Sequence, residues 1–238
     1  MQGSDTTLPL ANAGEQILQT GTFSVWQDER FRWLQEGDAI QSVMLLSNPS
    51  ALVLPTHQLM FLAFALVESP LEVLNLGFGL GAIERKIFQD FPRSRCTSVD
   101  ISELLVNLAK EKFFVPSSHD VKICPAEEFL VSVNQQFDIV FIDLFVKGKT
   151  AEILAEEKFY RLLSQCVNDC AFVALNIIPD DENELLTVLL PLRKYFPSVA
   201  MATVENRSNI IILASKKSSF DLASGQMGKP GIARQLAR

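Results

Sequence analysis

Residues Leu71 to Glu84 read LEVLNLGFGLGAIE: an apolar run breaks into three alternating glycines, Gly77, Gly79 and Gly81, and then turns helical. A strand that ends in glycines and runs at once into a helix brings bare backbone and a helix N-terminus close to a ligand. Gly77, Gly79 and Ala82 also satisfy the dinucleotide spacing G-x-G-x-x-G/A, so the glycines alone separate neither NAD from S-adenosylmethionine nor a ligand from tight strand-helix packing. Asp100 closes the next apolar run about 20 residues on, where a carboxylate accepts from ribose hydroxyls in either case. Asp143 ends the later run FDIVFID at the same carboxyl edge, with the chemistry of a general base, of an anchor for a cationic substrate, or of a helix cap.

Outward from the glycines, LEVLNL, RCTSVDI, DVKICP, FDIVFID and CAFVALNI alternate with helix-period segments near Ala82–Phe91, Glu103–Phe113, Ala126–Val133, Ala155–Cys166 and Glu182–Tyr195. Ser102 and Pro125 supply helix-start signals. Five successive β-α units specify a doubly wound α/β fold with a mainly parallel sheet. The runs Ser198–Val204 and Ser208–Ala214 are separated only by Glu205-Asn206-Arg207, too few residues for a crossover helix. They therefore form a hairpin whose last strand is antiparallel, a habit of methyltransferase-type Rossmann sheets.

Before Leu71, Thr22–Asp28, Arg30–Glu36 and Ala39–Leu46 have the texture of a small antiparallel β module, and Leu59–Val67 reads as one apolar helix. The expected organisation is a flexible leading segment at 1–20, a β-hairpin module at 21–54, a Rossmann-like adenosyl-ligand domain at 55–215 and a basic, disordered tail at 216–238. That tail carries five basic residues against the single acid Asp221.

With 48% hydrophobic and 21% charged residues, a chain of 238 residues can bury a full core. No stretch reaches the roughly 18 apolar residues of a membrane span, and MQGSDTTLPLANAGEQ has no signal-peptide pattern, so a cytoplasmic protein without a membrane partner is expected. A net charge of −7 argues against nucleic acid as a partner. Cys96, Cys124, Cys166 and Cys170 lie in or beside apolar segments and lack the paired spacing of a zinc site, so no metal is expected. His119 reads as a surface or turn residue, and Phe23, Val25 and Trp33 as a candidate apolar contact face.

An ordered series of motifs spanning residues 22–214 resembles the polyamine aminopropyltransferases, the spermidine/spermine synthase family, and looks like its bacterial spermidine synthase-like branch. Gly37-Asp-Ala-Ile-Gln41 matches L-D-G-x-x-Q, Thr56-His-Gln58 falls on Y-H-E, and Gly77–Ala82 falls on G-G-G-D-G-G. Val99-Asp-Ile101 matches V-E-I, Phe137–Asp143 matches Y-D-x-I-x-x-D, and Lys158-Phe-Tyr160 matches E-F-Y. The resemblance implies a small N-terminal β module ahead of a seven-stranded Rossmann-like sheet, assembled as a homodimer or tetramer. It implies that Gln41 and His57 face a sulfonium cofactor, that Asp100 holds its ribose, and that Asp143 is the catalytic base toward a small-molecule amine acceptor. The cofactor would be S-adenosylmethionine or decarboxylated S-adenosylmethionine, leaving S-adenosylhomocysteine or methylthioadenosine.

Four positions depart from the family pattern. Leu80, Thr56 and Val146 stand where the family has an acid, a Tyr and a second acid, and Pro125 stands where an acid accepts from adenine; Glu127, two positions on, is either its replacement or a first-turn Glu favoured by the helix dipole. An acid at position 80 would attract an aminopropyl ammonium and repel the carboxylate of intact S-adenosylmethionine by a few kcal/mol. The expectation is a transferase divergent in its polyamine pocket, not an ordinary spermidine synthase. Its alternatives are a methyltransferase or a non-catalytic adenosyl-ligand-binding protein of the same fold.

Overall fold

A computed structural model describes residues 8, 9, 11, 13–204 and 207–220. Four strands come first, β1 (Glu15–Thr20), β2 (Phe23–Gln27), β3 (Phe31–Glu36) and β4 (Ala39–Leu45), paired in order as an antiparallel sheet. Strand β1 begins within the stretch expected to be a flexible lead and adds a fourth strand to the three read from sequence.

The expected single helix over Leu59–Val67 is instead two short ones, α1 (Pro55–Met60) and α2 (Ala63–Leu66). Between them Leu62 N–H bonds to Leu59 O and Phe64 N–H to Phe61 O, the tighter i→i+3 pattern that ends an α-helix. Packing is the cause: that turn lets the Phe61 and Phe64 rings stack 4.4 Å apart and press together on Phe91 and Phe141.

The main unit continues as β5 (Glu72–Leu76), α3 (Ala82–Asp90), β6 (Arg95–Asp100), α4 (Glu103–Lys112), β7 (Val121–Ile123), α5 (Ala126–Ser132) and β8 (Phe137–Ile142). A two-stranded hairpin, β9 (Phe145–Val146) and β10 (Lys149–Thr150), then precedes α6 (Glu157–Gln165), β11 (Val167–Ile177), α7 (Glu182–Tyr195), β12 (Ser198–Thr203) and β13 (Ile210–Ser215). Seven strands form one sheet in the order β12-β13-β11-β8-β5-β6-β7, parallel except for β13, which pairs antiparallel with both neighbours. The hairpin and the seven-stranded methyltransferase-like sheet read from sequence are therefore present, although Glu205 and Asn206 at the turn lie outside the described residues.

The period-two alternation of β8 shows why both sheet faces are covered. Val140 and Ile142 point into a core with α5, α6 and α7, whereas Ile139 and Phe141 point into the core with α1, α2 and α3. The small N-terminal sheet is likewise two-faced. Val25, Leu34 and Met44 pack with α4 and with Phe78 and Leu80 of the glycine loop, while Trp33 packs with Phe31, Val43 and Leu54 on the other side. Val25 and Trp33 are both fully buried within this chain, so they do not form the open contact face read from sequence. Among the described residues no helix is long and apolar enough to cross a membrane. Of the tail, residues 221–238 lie outside the described residues.

Candidate functional site at the carboxyl edge of the sheet

Because β5, β6 and β8 run parallel, their last residues all emerge at one edge, where the glycine loop, Asp100 and Asp143 meet. Gly77 (φ +94°) and the chain at Asp143 pass so close that a Cβ at position 77 would lie 2.2 Å from the Asp143 carbonyl oxygen. Only glycine allows that approach. Gly79 (φ +55°) faces the opposite situation: a Cβ there would meet nothing within 4 Å. Its bare backbone therefore looks onto open space beside the site, and Gly81 caps α3 immediately afterwards.

Asp100 braces this loop. Its Oδ2 accepts from Gly79 N–H at 2.8 Å and its Oδ1 from Ser102 N–H at 2.8 Å. Burial pushes the Asp100 carboxyl above its ordinary range, the backbone donors pull it down, and the neighbouring charge of Asp143 raises it again.

Asp143 follows β8, and its N–H bonds to Leu76 O at 2.8 Å. Its Oδ2 lies 3.4 Å from His57 Nε2 on α1, both side chains remaining partly exposed at 23% and 14%. Its Oδ1 accepts from Asn176 Nδ2 at 2.8 Å. Asn176 at the end of β11 and Asn209 just before β13 were not singled out from sequence. The available signal was a polar residue inside an otherwise apolar strand, as in the VALNI of β11.

Among the described residues, none of the remaining sequence candidates bonds to His57, Asp100 or Asp143 through its side chain. Gln41 is exposed on β4, where the pairing register with β3 slips. Glu127, in the first turn of α5, is half-buried and favoured there by the helix dipole. Leu80 turns away from the loop's open side and is 3% exposed in the core shared with Val25, Leu34 and Met44. Val146, in the hairpin after Asp143, is exposed. That hairpin is fastened to the segment after β11 by Ile178 N–H donating to Thr150 Oγ1 at 2.8 Å and by a Lys149–Asp180 ion pair at 2.7 Å.

A glycine loop, two carboxylates and an imidazole thus meet at the carboxyl edge of a seven-stranded sheet. The chain resembles the polyamine aminopropyltransferases. Over 185 residues, 76% of the chain, it is 24% identical to a polyamine aminopropyltransferase of Neisseria meningitidis, covering 70% of that protein. A probable spermidine synthase from Corynebacterium glutamicum superposes with a TM-score of 0.71 at 20% identity, over 88% of this chain and 81% of that one. Human methyltransferase-like protein 13, solved with SAH, superposes with a TM-score of 0.61 at 20% identity, over 67% and 81% of the two chains. No family model matches the chain. The seven-stranded sheet is thus a fold that both of these solved structures share.

Behind the aminopropyltransferase-like loop lies a second polar cluster that is sealed. Glu84 on α3 is fully buried, its Oε1 accepting from Asn75 Nδ2 at 2.7 Å and from Ser98 Oγ at 2.6 Å. Among the described residues Glu84 Oε2 and Asn75 Oδ1 have no hydrogen-bond partner. Burial raises the Glu84 carboxyl above its usual range, although Ser98 and Asn75 lower it in part. His119, read from sequence as a surface or turn residue, does close a turn through its N–H to Pro116 O, and its half-buried ring reaches inward: its Nε2 lies 2.9 Å from Ser98 Oγ, and the ring packs against Phe88 and Phe78. Arg85 is also buried, donating to Leu80 O, Phe113 O and Pro49 O, and desolvation lowers it to about 10. It ties the glycine loop to α4 and to the segment after β4. A cavity of about 590 Å³ lies at the amino end of β6, lined by Glu72, Arg95, Thr97, His119 and Lys122, at the edge opposite Asp143. A large cavity alone is no argument for chemistry there, because the convergent polar groups of the loop are elsewhere.

Proposed function

We propose that the protein is a transferase that binds S-adenosylmethionine or its decarboxylated form and uses Asp143 as the base toward an amine acceptor. The observation that carries this reading is the convergence of Asp143 and His57, 3.4 Å apart, beside a glycine loop braced by Asp100. The open face of Gly79 and the half-exposed Asp100 fit an adenosyl ligand, since backbone can approach it there and a carboxylate can accept from its ribose. In this reading Gly77, Gly79 and Gly81 shape the cradle, Asp100 holds the ribose, His57 lines the sulfonium end, and Gln41 and Glu127 close over the ligand from the small sheet and α5.

A bound sulfonium nucleoside supplies an electrophilic carbon and a thioether leaving group, methylthioadenosine after aminopropyl transfer or S-adenosylhomocysteine after methyl transfer. The chain's part is proton handling and placement. Asp143 Oδ2, the oxygen that Asn176 leaves free, takes a proton from the acceptor ammonium, and the lone pair so released attacks in line. Val146 in place of a second acid leaves little to hold the remote cation of a diamine, which favours an acceptor other than an ordinary diamine.

Methyl transfer is the second reading, supported by Leu80. With that side chain in the core, the loop presents no acid to repel the carboxylate of intact S-adenosylmethionine. A thermal-shift panel of S-adenosylmethionine, its decarboxylated form, S-adenosylhomocysteine, methylthioadenosine and NAD tests binding, because a ligand that binds only the folded state stabilises it by about 2.7 kcal/mol at 100 times Kd. Stabilisation by no adenosyl compound overturns both readings and leaves a non-catalytic role; a preference for S-adenosylhomocysteine over methylthioadenosine selects methyl transfer. Loss of transfer in Asp143→Asn is the expected mark of the base. The resemblance also favours a cytoplasmic homodimer, which sedimentation velocity tests as to assembly.

A further inference from the structure

Asp143 is the visible end of a chain of side chains that runs into the sheet. Asn176 donates its Nδ2 to Asp143 Oδ1 at 2.8 Å, and Asn209 donates its Nδ2 to Asn176 Oδ1 at 2.9 Å. Asn176 is 4% exposed and Asn209 is also buried. An ionised carboxylate only accepts, so Asn176 must present its NH₂ to Asp143 and its carbonyl oxygen to the other side. Asn209 must then present its own NH₂. All three side chains have one consistent orientation, set by Asp143 Oδ1 accepting from Asn176.

The antiparallel strand is what makes the chain possible. In this sheet the parallel strands finish at the carboxyl edge, whereas β13 begins there, with Ile211 opposite Asn176 in register. Asn209 precedes β13, so it is the start of the last strand, not its end, that reaches the site. A buried asparagine pair between strands is costly unless its polar atoms are bonded. Here each bonded atom serves to turn the neighbouring side chain one way.

We infer that Asn176 and Asn209 are positioning residues for Asp143, holding Oδ1 so that Oδ2 alone faces His57 and the acceptor amine. The inference rests on Asp143 being the base, and it adds residues that act without touching substrate. Asn176 acts directly on the carboxylate and Asn209 acts only through Asn176.

The test uses the full chain with Asn176→Leu, Asn209→Leu, Asn209→Asp and the double leucine variant, with melting temperature confirming folding and Asn209→Asp serving if a leucine variant fails to fold. In ¹⁵N spectra the Asn176 side-chain amide signals should move in Asp143→Asn and again in Asn209→Asp or Asn209→Leu, with no substrate present. With decarboxylated S-adenosylmethionine and a panel of primary amines, and with S-adenosylmethionine and the same panel, kcat should fall about 10- to 100-fold in Asn176→Leu. The KM for the adenosyl donor should stay unchanged, and the double variant should be no worse than Asn176→Leu, since serial residues are not additive. Asn176 signals indifferent to position 209, or full activity in Asn176→Leu beside an inactive Asp143→Asn, overturn the positioning role while the transfer reading stands. No transfer by the unsubstituted protein, or full activity in Asp143→Asn, overturns the base itself and the positioning role with it.

Discussion

Asp100 and Glu84 are both carboxylates pushed upward by burial, yet they sit on the two sides of the glycine loop in opposite conditions. Asp100 keeps part of its surface open, and each of its oxygens accepts a backbone N–H. Glu84 is fully enclosed, and among the described residues one of its oxygens has no partner. The difference teaches that a raised carboxyl does not by itself mark a functional group. Access and spare bonding capacity toward open space do: Asp100 can accept from a ligand without being unburied, whereas Glu84 meets only Asn75, Ser98 and the chain around them.

The most severe way to break this contrast is to put a charge where the loop has core. Leu80→Asp places a carboxylate among Val25, Leu34, Met44 and Phe78, and should destabilise the protein by about 3 kcal/mol or more in urea titration. A stable Leu80→Asp protein would mean that position 80 faces the ligand after all. Next in size, Asp100→Ala should abolish the stabilisation conferred by an adenosyl ligand in thermal-shift measurements; retention of the full shift would remove Asp100 from the site.

Glu84→Gln gives the pH signature of the sealed side. A carboxyl raised in the folded state holds a proton that the unfolded chain has already lost. Its contribution is complete below the unfolded value near 4.5 and disappears as pH rises through the folded value. The stability of Glu84→Gln should therefore fall less than that of the parent from acid to neutral pH, with a gain of about 1–3 kcal/mol at neutral pH in denaturant titrations. The smallest expected effect is Gly79→Ala. Its Cβ meets no atom, so only the left-handed backbone is penalised, by roughly 1 kcal/mol. Adenosyl-ligand binding should weaken all the same, because the methyl group enters the open side of the loop; equal affinity by calorimetry would place the ligand elsewhere.

Much of this was legible in the sequence because it depends on short-range pattern. Period-two runs and helix-period segments predict the alternating units, and three residues between two strands leave room only for a hairpin. Glycines at the end of one strand and Asp100 and Asp143 at the ends of two others fall at one edge by topology alone. The division of Leu59–Val67 into two helices was not legible, since its cause is the stacking of Phe61 and Phe64 on Phe91 and Phe141, residues distant in sequence. The direction of Leu80 was not legible for the same reason, since the apolar surface that takes it up belongs to the N-terminal sheet.

The sequence by itself determined the order of elements, the antiparallel last strand, the glycine loop and the carboxylates that flank it, because local spacing and backbone chemistry dictate them. Tertiary structure alone decided which polar side chains meet. Asn209 reaches Asn176, and through it Asp143, only because an antiparallel strand starts at that edge, and Glu84 meets Ser98 only because α3 packs against the sheet there. Periodicity says which face a residue takes, but a partner on that face comes from a strand far away in the chain, and only the assembled sheet supplies it.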